Sequence, residues 1–281
     1  MLRMSKAARL VLVAVICALL ACRRTAPVYL DMATTTSVDN SGLLNALLPH
    51  FQAATVRVHP VGSGLALKML SDGDVEVVIS HAPETESRYL AQHPDWSYRK
   101  IAFNQFLVVG PAVDPAHVRD AMDAIDAFRR IAASDATFVS RGDQSGTHER
   151  EQSLWKAAAV TPSADRLLVS GAGMAITLRQ TNERQSYTLA DDSTFWQLQS
   201  RLNLAVLFDS DPRLLNTYAV VFPSNKSSAA GFADWLASGD GRRRIADYRI
   251  QGRTAFNVWP LGCPFSMPDA QPCGASISRQ R

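Results

Sequence analysis

The stretch V-Y-L-D-M-A-T-T-T-S-V-D-N-S-G-L-L at positions 28–44 contains a short apolar strand, a polar loop and the beginning of a helix. The expected strand is 28–33 and the loop is 34–42, after which 43–52 has apolar residues at helical spacing. The unit recurs, because 56–60 alternates as a strand and the loop V-G-S-G-L leads into a second helix. Alternating strands and helices predict an α/β fold with a parallel sheet.

Apolar strands and amphipathic helices continue to alternate along the chain. The further expected strands are 75–80, 106–109, 137–140, 167–169, 186–189, 204–208 and 218–222, and the further expected helices are 66–70, 121–133, 149–159, one from Met174, 228–238 and 242–248. The pattern restarts after Gly110-Pro111, which indicates a second lobe inserted in the first. We predict lobe one at 27–111 and 209–262, lobe two at 112–208, and a C-terminal tail at 263–281. Strand C-termini and helix N-termini would face a ligand cleft between the lobes.

Residues 1–22 have the layout of a secretory signal peptide, with basic residues first, an apolar run at 10–20 and the small Ala21. The run is too short to span a bilayer comfortably. The sequence L-L-A-C at 19–22 resembles the lipobox of bacterial lipoproteins, in which the cysteine, here Cys22, is acylated. An ordinary signal peptide cleaved nearby is the alternative. Both interpretations predict a periplasmic or extracytoplasmic protein, and the first adds a membrane tether through lipid on Cys22.

The charge balance argues against nucleic acid as a partner. The formal net charge is +3, and the leader holds three basic residues and no Asp or Glu. The rest of the chain is therefore neutral, without the basic excess typical of nucleic-acid binding. A hydrophobic fraction of 47% with 20% charged residues is ordinary for a globular protein, and it excludes disorder, collagen and coiled coil.

Two cysteines, Cys263 and Cys273, lie in the tail. In an oxidising compartment we expect them to form a disulfide that closes a small loop, with two free thiols as the alternative. Neither has a His or a second Cys at the spacing of metal ligands, and the six histidines are scattered. The sequence therefore predicts no metal cation.

Four strand-to-helix loops carry the residues of chemical interest, and they are 34–42, 62–64, 140–147 and 170–173. They are rich in hydroxyls and glycines and lie at helix starts, where free backbone N–H groups and the helix dipole favour an anion. Arg141 is the one cation among them, and a guanidinium recognises a tetrahedral oxyanion through two bonds. The loops together predict a small oxyanion site. In the alternative interpretation the hydroxyls are ordinary helix caps and Arg141 pairs with Asp143 on the surface.

No signature of a nucleotide-binding loop or of a nucleophile elbow occurs in the sequence. An α/β enzyme acting on phosphoryl or ester groups would need a nucleophile with a base, or a metal cluster, and neither is evident. We therefore predict a binding protein without enzymatic activity and without a cofactor.

Eight motifs follow one another along the chain. They are A-T-T-T-S (33–37), D-N-S-G-L-L (39–44), V-G-S-G-L-A-L (61–67), V-V-I-S-H-A-P (77–83), F-V-S-R-G-D-Q-S-G-T-H (138–148), G-A-G-M (171–174), S-Y-T-L-A-D (186–191) and D-P-R-L-L-N (211–216). Together they resemble the Tup-type tungstate-binding proteins of bacterial ABC importers. The most specific piece is S-R-G-D-x-S-G-T-H. Gln144 stands where an acidic residue is expected in the family, and the tail with Cys263 and Cys273 lies outside the pattern.

The resemblance implies a two-lobed type II periplasmic binding protein that captures tungstate or molybdate and delivers it to an ABC permease and its ATPase. Proteins of this kind usually act as monomers, which we expect here. Carried over by motif, the oxyanion ligands would be Thr35, Thr36, Ser63, Arg141 and Thr147, with Ser145 and the amides around Gly171 and Gly173 as weaker candidates.

The sequence predicts an oxyanion site more firmly than it predicts which oxyanion binds there. Tungstate and molybdate are dianions that need only donors, whereas phosphate carries a proton that needs an acceptor. The expected ligands are all donors, although Asp31, Asp39 or Asp143 could supply an acceptor. A phosphate or sulfate receptor, or a lipoprotein that senses the ion, therefore remain alternatives.

Overall fold

A mixed sheet of eight strands forms the centre of the protein in the computed structural model, which describes residues 28–160 and 162–273. Its strands are β1 (Tyr29–Thr35), β2 (Thr55–Val61), β3 (Val77–Ser80) and β4 (Trp96–Pro111), then β7 (Thr188–Asp191), β8 (Leu204–Phe208), β9 (Leu215–Pro223) and β12 (Asn257–Val258). Two small sheets pair β5 (Phe138–Ser140) with β6 (Leu167–Val169), and β10 (Arg249–Ile250) with β11 (Arg253–Thr254).

Helices follow most of the strands. They are α1 (Thr36–Asn40), α2 (Leu43–Leu47), α3 (Ser63–Asp72), α4 (Pro83–Gln92), α5 (Ala124–Ala133), α6 (Gly146–Ala158), α7 (Met174–Arg184), α8 (Asp192–Leu198), α9 (Ser227–Ala237) and α10 (Asp240–Asp247). Short 3-10 turns occur at Leu48–His50, Val118–Asp120, Gln199–Arg201 and Pro212–Leu214.

The α/β class is confirmed, but the expected parallel sheet is mixed and contains antiparallel pairs. β1 runs parallel to β2 and β3, and each of these connections contains a helix. β9 runs antiparallel to both β3 and β4, and β4 is also antiparallel to β7 and β8. Parallel pairing needs a crossover segment between the paired strands, and it is found here where such a segment exists.

Strand β4 is the longest element and joins two packing regions. Its first ten residues pair with β9, while Phe106 to Pro111 pair with β7 and β8. The first part adjoins a core around Met32, Tyr218 and Phe232, and the second part adjoins a core around Phe106, Phe128 and Trp155. One strand therefore spans the regions on both sides of the cleft.

The sequence predicted only 106–109 of this strand, because its first half carries polar residues. Lys100 is buried, with its ammonium donating to Thr217 Oγ1 at 2.9 Å and to the carbonyl oxygen of Pro268 at 2.8 Å. Such partners come from distant parts of the chain, so hydropathy alone cannot show that this lysine lies in a buried strand. Helices α1, α4 and α8 were also missed, and the expected helix 43–52 is α2 followed by a 3-10 turn that contains Pro49.

The predicted signal peptide at 1–22 and Cys22 lie outside the described residues. Within 28–160 and 162–273, no helix is long and apolar enough to cross a membrane. The longest described helix is α6, with 13 residues.

A disulfide joins Cys263 and Cys273 in the tail, with their Cα atoms 5.6 Å apart. The loop that it closes lies on β4, where the Lys100 amide donates to the Phe265 carbonyl at 2.9 Å. The indole of Trp259 donates to the Pro264 carbonyl at 3.0 Å. The tail is therefore packed on the sheet as far as Cys273.

Removal of this disulfide is expected to destabilise the protein measurably. Closing a loop of this length should contribute about 3 kcal/mol to the free energy of unfolding, mainly by restricting the unfolded chain. We expect the double variant Cys263→Ala/Cys273→Ala to show this loss in urea unfolding followed by tryptophan fluorescence. Reductant should lower the midpoint of the wild type and leave that of the variant unchanged; equal wild-type midpoints with and without reductant would contradict the prediction.

Candidate anion-binding site

Each of the four loops identified in the sequence contains or adjoins the N-terminus of a helix. β1 passes directly into α1, with Thr35 as the cap whose Oγ1 accepts the amide of Val38 at 3.3 Å. Ser145 caps α6 by accepting the amide of His148 at 3.3 Å. Helices α3 and α7 begin after Gly62 and Gly173, which have no capping side chain. All four helix starts therefore present backbone donors that an anion can use.

The second and third loops lie against each other. A Cβ atom placed on Gly62 would come within 3.2 Å of the carbonyl oxygen of Asp143. One placed on Gly64 would come within 3.3 Å of the carbonyl oxygen of Gln144. These distances are tighter than ordinary contacts, so the missing side chains allow the two backbones to meet.

Two further contacts join the third loop to His81 and the fourth loop to the first. Gly146 packs so closely on the backbone of His81 that a Cβ atom would lie 2.2 Å from the His81 carbonyl oxygen. Gly173 faces Thr36, with 3.5 Å between the position of a Cβ atom and Thr36 Oγ1. Loops from the two predicted lobes therefore converge on one place.

Arg141 is buried at this point, with only 1% of its surface exposed. Its Nε donates to Asp143 Oδ2 at 3.1 Å, and one terminal nitrogen also contacts that oxygen. The other oxygen of Asp143 accepts the amide of Ser145 at 3.2 Å. The alternative pairing of Arg141 with Asp143 is therefore present, but the arginine is buried and not on the surface. A guanidinium has five N–H donors, so an anion can bind to those that Asp143 does not use.

Buried hydroxyl groups accompany this cation. Thr147 is fully buried, and its Oγ1 has no hydrogen-bond partner among the described residues. The same holds for Thr34 and Thr194, which sequence reasoning did not select. Ser63 is fully buried, and its Oγ accepts the amide of His81 at 3.3 Å, which leaves its own proton to donate. An unpaired buried hydroxyl is unfavourable, and an oxyanion would satisfy it.

The remaining predicted residues differ in their placement. Thr36 is half-buried beside Gly173. Gly171 is exposed, and its amide donates to the Arg141 carbonyl at 2.9 Å. That amide supports the arginine and is not free for a ligand, so the structure does not bring Gly171 into the donor group. Thr35 lies 3.0 Å from Ser37 through their hydroxyl oxygens.

His81 is a buried residue of the site that sequence reasoning missed. Its Nδ1 lies 2.9 Å from Asn216 Oδ1, and its Nε2 lies 3.4 Å from Ser37 Oγ. Burial lowers the pKa of this imidazole, and nearby Arg141 lowers it further, against the raising effect of Asn216 and Asp191. Its position directly after the buried strand β3 is the one signal that could have drawn attention to it.

Glu151 supports the backbone of Arg141 from α6. Its carboxylate accepts the Arg141 amide at 3.3 Å. Burial raises the pKa of Glu151 from 4.5 to about 7, although Ser140 and the Arg141 amide lower it in part. The residue therefore titrates near neutral pH beneath the buried cation.

In the part of the chain that the structure describes, no group of three or more His, Cys, Asp or Glu side chains is arranged to hold a metal ion. The site consists of a buried guanidinium, hydroxyls and helix N-termini. Donors of these kinds suit an anion as the ligand.

Comparisons with known proteins place the chain in a family. A profile described as a PBP superfamily domain matches residues 24–240. The tungstate-binding protein TupA of Peptoclostridium acidaminophilum is 33% identical over 251 residues, covering 85% of each chain. The structure of the tungstate ABC transporter protein from Geobacter sulfurreducens has 36% identity and a TM-score of 0.70, covering 78% of this chain and 98% of that one. TupA from Desulfovibrio alaskensis has 34% identity and a TM-score of 0.70, covering 83% and 99%.

The protein thus has the type II periplasmic binding protein fold that the resemblance implied. The chain belongs to the PBP superfamily and, within it, to the TupA family of tungstate-binding proteins.

Glu151 should make stability depend on pH. The unfolded chain releases this proton near pH 4.5 and the folded protein near 7, so the free energy of unfolding falls as pH rises between these values. Replacement by Gln removes the ionisation and retains an acceptor for the Arg141 amide. We expect the free energy of unfolding of Glu151→Gln, relative to that of wild type, to rise by about 2.5 kcal/mol between pH 5 and pH 8.

Chemical unfolding at both pH values measures this gain. Glu183→Gln, at an exposed position on α7, is the matched control and should differ from wild type by the same amount at both pH values. If the difference in the free energy of unfolding between Glu151→Gln and wild type does not change with pH, the carboxyl group ionises normally in the folded protein. That outcome would contradict the prediction.

Proposed function

We propose that the protein binds tungstate or molybdate in the cleft and delivers the ion to the permease of an ABC importer. The observation that carries this proposal is the buried Arg141, which lies among hydroxyl and amide donors that converge from several loops. The names of the relatives at 33–36% identity give tungstate as their ligand, which supports the first of these two ions. In this function the protein acts as a receptor without enzymatic activity or cofactor.

The donors of the site suit a tetrahedral dianion. The free N–H groups of Arg141 would take one edge of the ion, and the hydroxyls of Thr147 and Ser63 would take further oxygens. The backbone amides at the starts of α3 and α6 would supply the remaining donors. The helices fix the direction of these amides before the ion arrives, which lowers the cost of binding. The other residues that we propose to line the same site are Thr35, Thr36, Ser145 and Gly173.

The aspartates that could serve as acceptors are otherwise engaged or distant. Both oxygens of Asp143 are used, by Arg141 and by the Ser145 amide. Asp31 contacts Arg57 and His59 at the surface, and Asp39 is exposed. None of these three aspartates therefore offers a free acceptor for the proton of hydrogen phosphate, whereas tungstate and molybdate carry no proton.

The cellular setting follows from the leader and the family. We propose that the leader is removed outside the cytoplasm and that Cys22 carries a lipid which tethers the receptor near its permease and ATPase. The receptor is proposed to act as a monomer with lobe one at 27–111 and 209–262 and lobe two at 112–208, which close on the ion.

Titration of the purified protein with tungstate, molybdate, sulfate and phosphate by calorimetry tests the function. We expect one ion per chain and tighter binding of tungstate and molybdate. Arg141→Ala should weaken tungstate binding by about 100-fold or more, because two charge-assisted hydrogen bonds are lost. The tungstate affinity of Arg141→Lys should lie between those of wild type and Arg141→Ala, because lysine keeps the positive charge but cannot form the two parallel hydrogen bonds of a guanidinium.

Arg179→Ala is the matched control, because Arg179 is exposed on α7 and away from the converging loops. It should bind as the wild type does. A thermal melt of each variant separates loss of binding from loss of fold. Absence of binding of all four ions by the wild type, or unchanged affinity in folded Arg141→Ala, would refute the proposed function.

A further inference from the structure

Glu149 makes three hydrogen bonds across the groove at the mouth of the cleft. One oxygen accepts the amide of Glu84 at 2.8 Å. The other accepts both the amide of Thr85 at 3.0 Å and the Thr85 hydroxyl at 2.7 Å. Glu149 belongs to α6, in predicted lobe two, whereas Glu84 and Thr85 are in the first turn of α4, in predicted lobe one. One carboxylate therefore joins the two sides of the cleft.

Helix α4 depends on this carboxylate because its own sequence does not cap it. The residue before the helix is Ala82, whose methyl group accepts no hydrogen bond, and the first helical residue is Pro83, which has no N–H. The amide of Ala82 is satisfied by Glu86 at 2.9 Å. The next two amides of the first turn are the ones that Glu149 accepts, so a residue 65 positions away from Glu84 acts as the cap.

The same turn of α6 carries a proposed ligand. Thr147, whose buried hydroxyl has no protein partner among the described residues, is two residues before Glu149. Gly146 of this turn packs on the backbone of His81, which is two residues before the start of α4. A movement of α6 away from α4 would therefore separate Thr147 from the lobe-one donors and break the bonds of Glu149 together.

We propose that Glu149 is the closure latch of this receptor, a positioning residue that holds α4 against α6 over the bound oxyanion and slows its release. This inference rests on the proposed function, because the latch acts on the ion in the cleft. Opening exchanges the three bonds for contacts with water. The bonds therefore favour the closed form, and whatever favours the closed form strengthens the binding of a ligand that requires it.

The test measures the release of molybdate and tungstate by stopped-flow methods. In Glu149→Gln one oxygen remains an acceptor, but the new amide group opposes the N–H donors of α4. We expect the dissociation rate constant to rise about tenfold, with an association rate constant within about twofold of wild type. Thr85→Ala, which removes one of the three bonds, should show a smaller rise in the dissociation rate constant. In the double variant Glu149→Gln/Thr85→Ala, the rise in the dissociation rate constant should be smaller than the two single effects combined, because both side chains belong to one interaction.

Glu84→Gln is the matched control. Its side chain is exposed, and only its backbone amide takes part in the contact, so release should stay within about twofold of wild type. Hydrogen exchange of the Glu84 and Thr85 amides supplies a direct second measurement, and it should accelerate in Glu149→Gln. Faster exchange with unchanged ion release would overturn the proposal, because Glu149 would then only cap α4.

A failure of the proposed function would be distinguishable from a failure of the latch. If the wild type binds none of the ions, small-angle scattering of the ligand-free proteins decides the latch alone. A larger radius of gyration in Glu149→Gln than in wild type supports a contact that holds the lobes together, and equal radii overturn it.

Discussion

The buried charge of Arg141 is the constraint on which the site depends. A guanidinium removed from water is strongly unfavourable unless it is paired and held in place. Asp143 supplies one partner, and the amide of Ser145 fixes that carboxylate. The backbone of Arg141 is held on both sides, with its amide bonded to Glu151 and its carbonyl to the amide of Gly171. The loop therefore keeps one cation buried and oriented, and the guanidinium N–H groups that Asp143 does not use are the ones proposed to bind the anion.

The donors around this cation owe their positions to the sheet and its helices. β1 and β3 end close to the starts of α1 and α4, and β5 leads through the Arg141 loop to α6. Because strands fix where these helices begin, the amides and hydroxyls of the site are oriented before an anion arrives, which lowers the entropy that binding must overcome. Glycines at 62, 64 and 146 let the backbones of different loops approach closely, which brings their donors near one another.

Much of this arrangement could be predicted from the sequence, but only where the signal is local. Period-two and helical patterns identified β2, β6 and α3, and hydroxyl-rich loops beside a single arginine identified the chemistry of the site. The first half of β4 was missed because Lys100 is satisfied by Thr217 and Pro268, which lie far along the chain. His81 and Glu149 were missed as site residues for the same reason, since their partners are set by tertiary contacts.

The close spacing of Ser145, Thr147 and Glu149 has a mechanical consequence. These residues cap α6, offer a buried hydroxyl at the cleft and bond α4, all within the first turn of one helix. A helical turn is stiff because its hydrogen bonds fix the backbone, so the three side chains move as a unit. In the proposed function, an anion bound at Thr147 would therefore position Glu149 against α4 without any intervening element, and loss of that contact would free the same turn to leave the anion. If the proposed function and the proposed latch are correct, the capture of the ion and the closure of the cleft both depend on the start of α6.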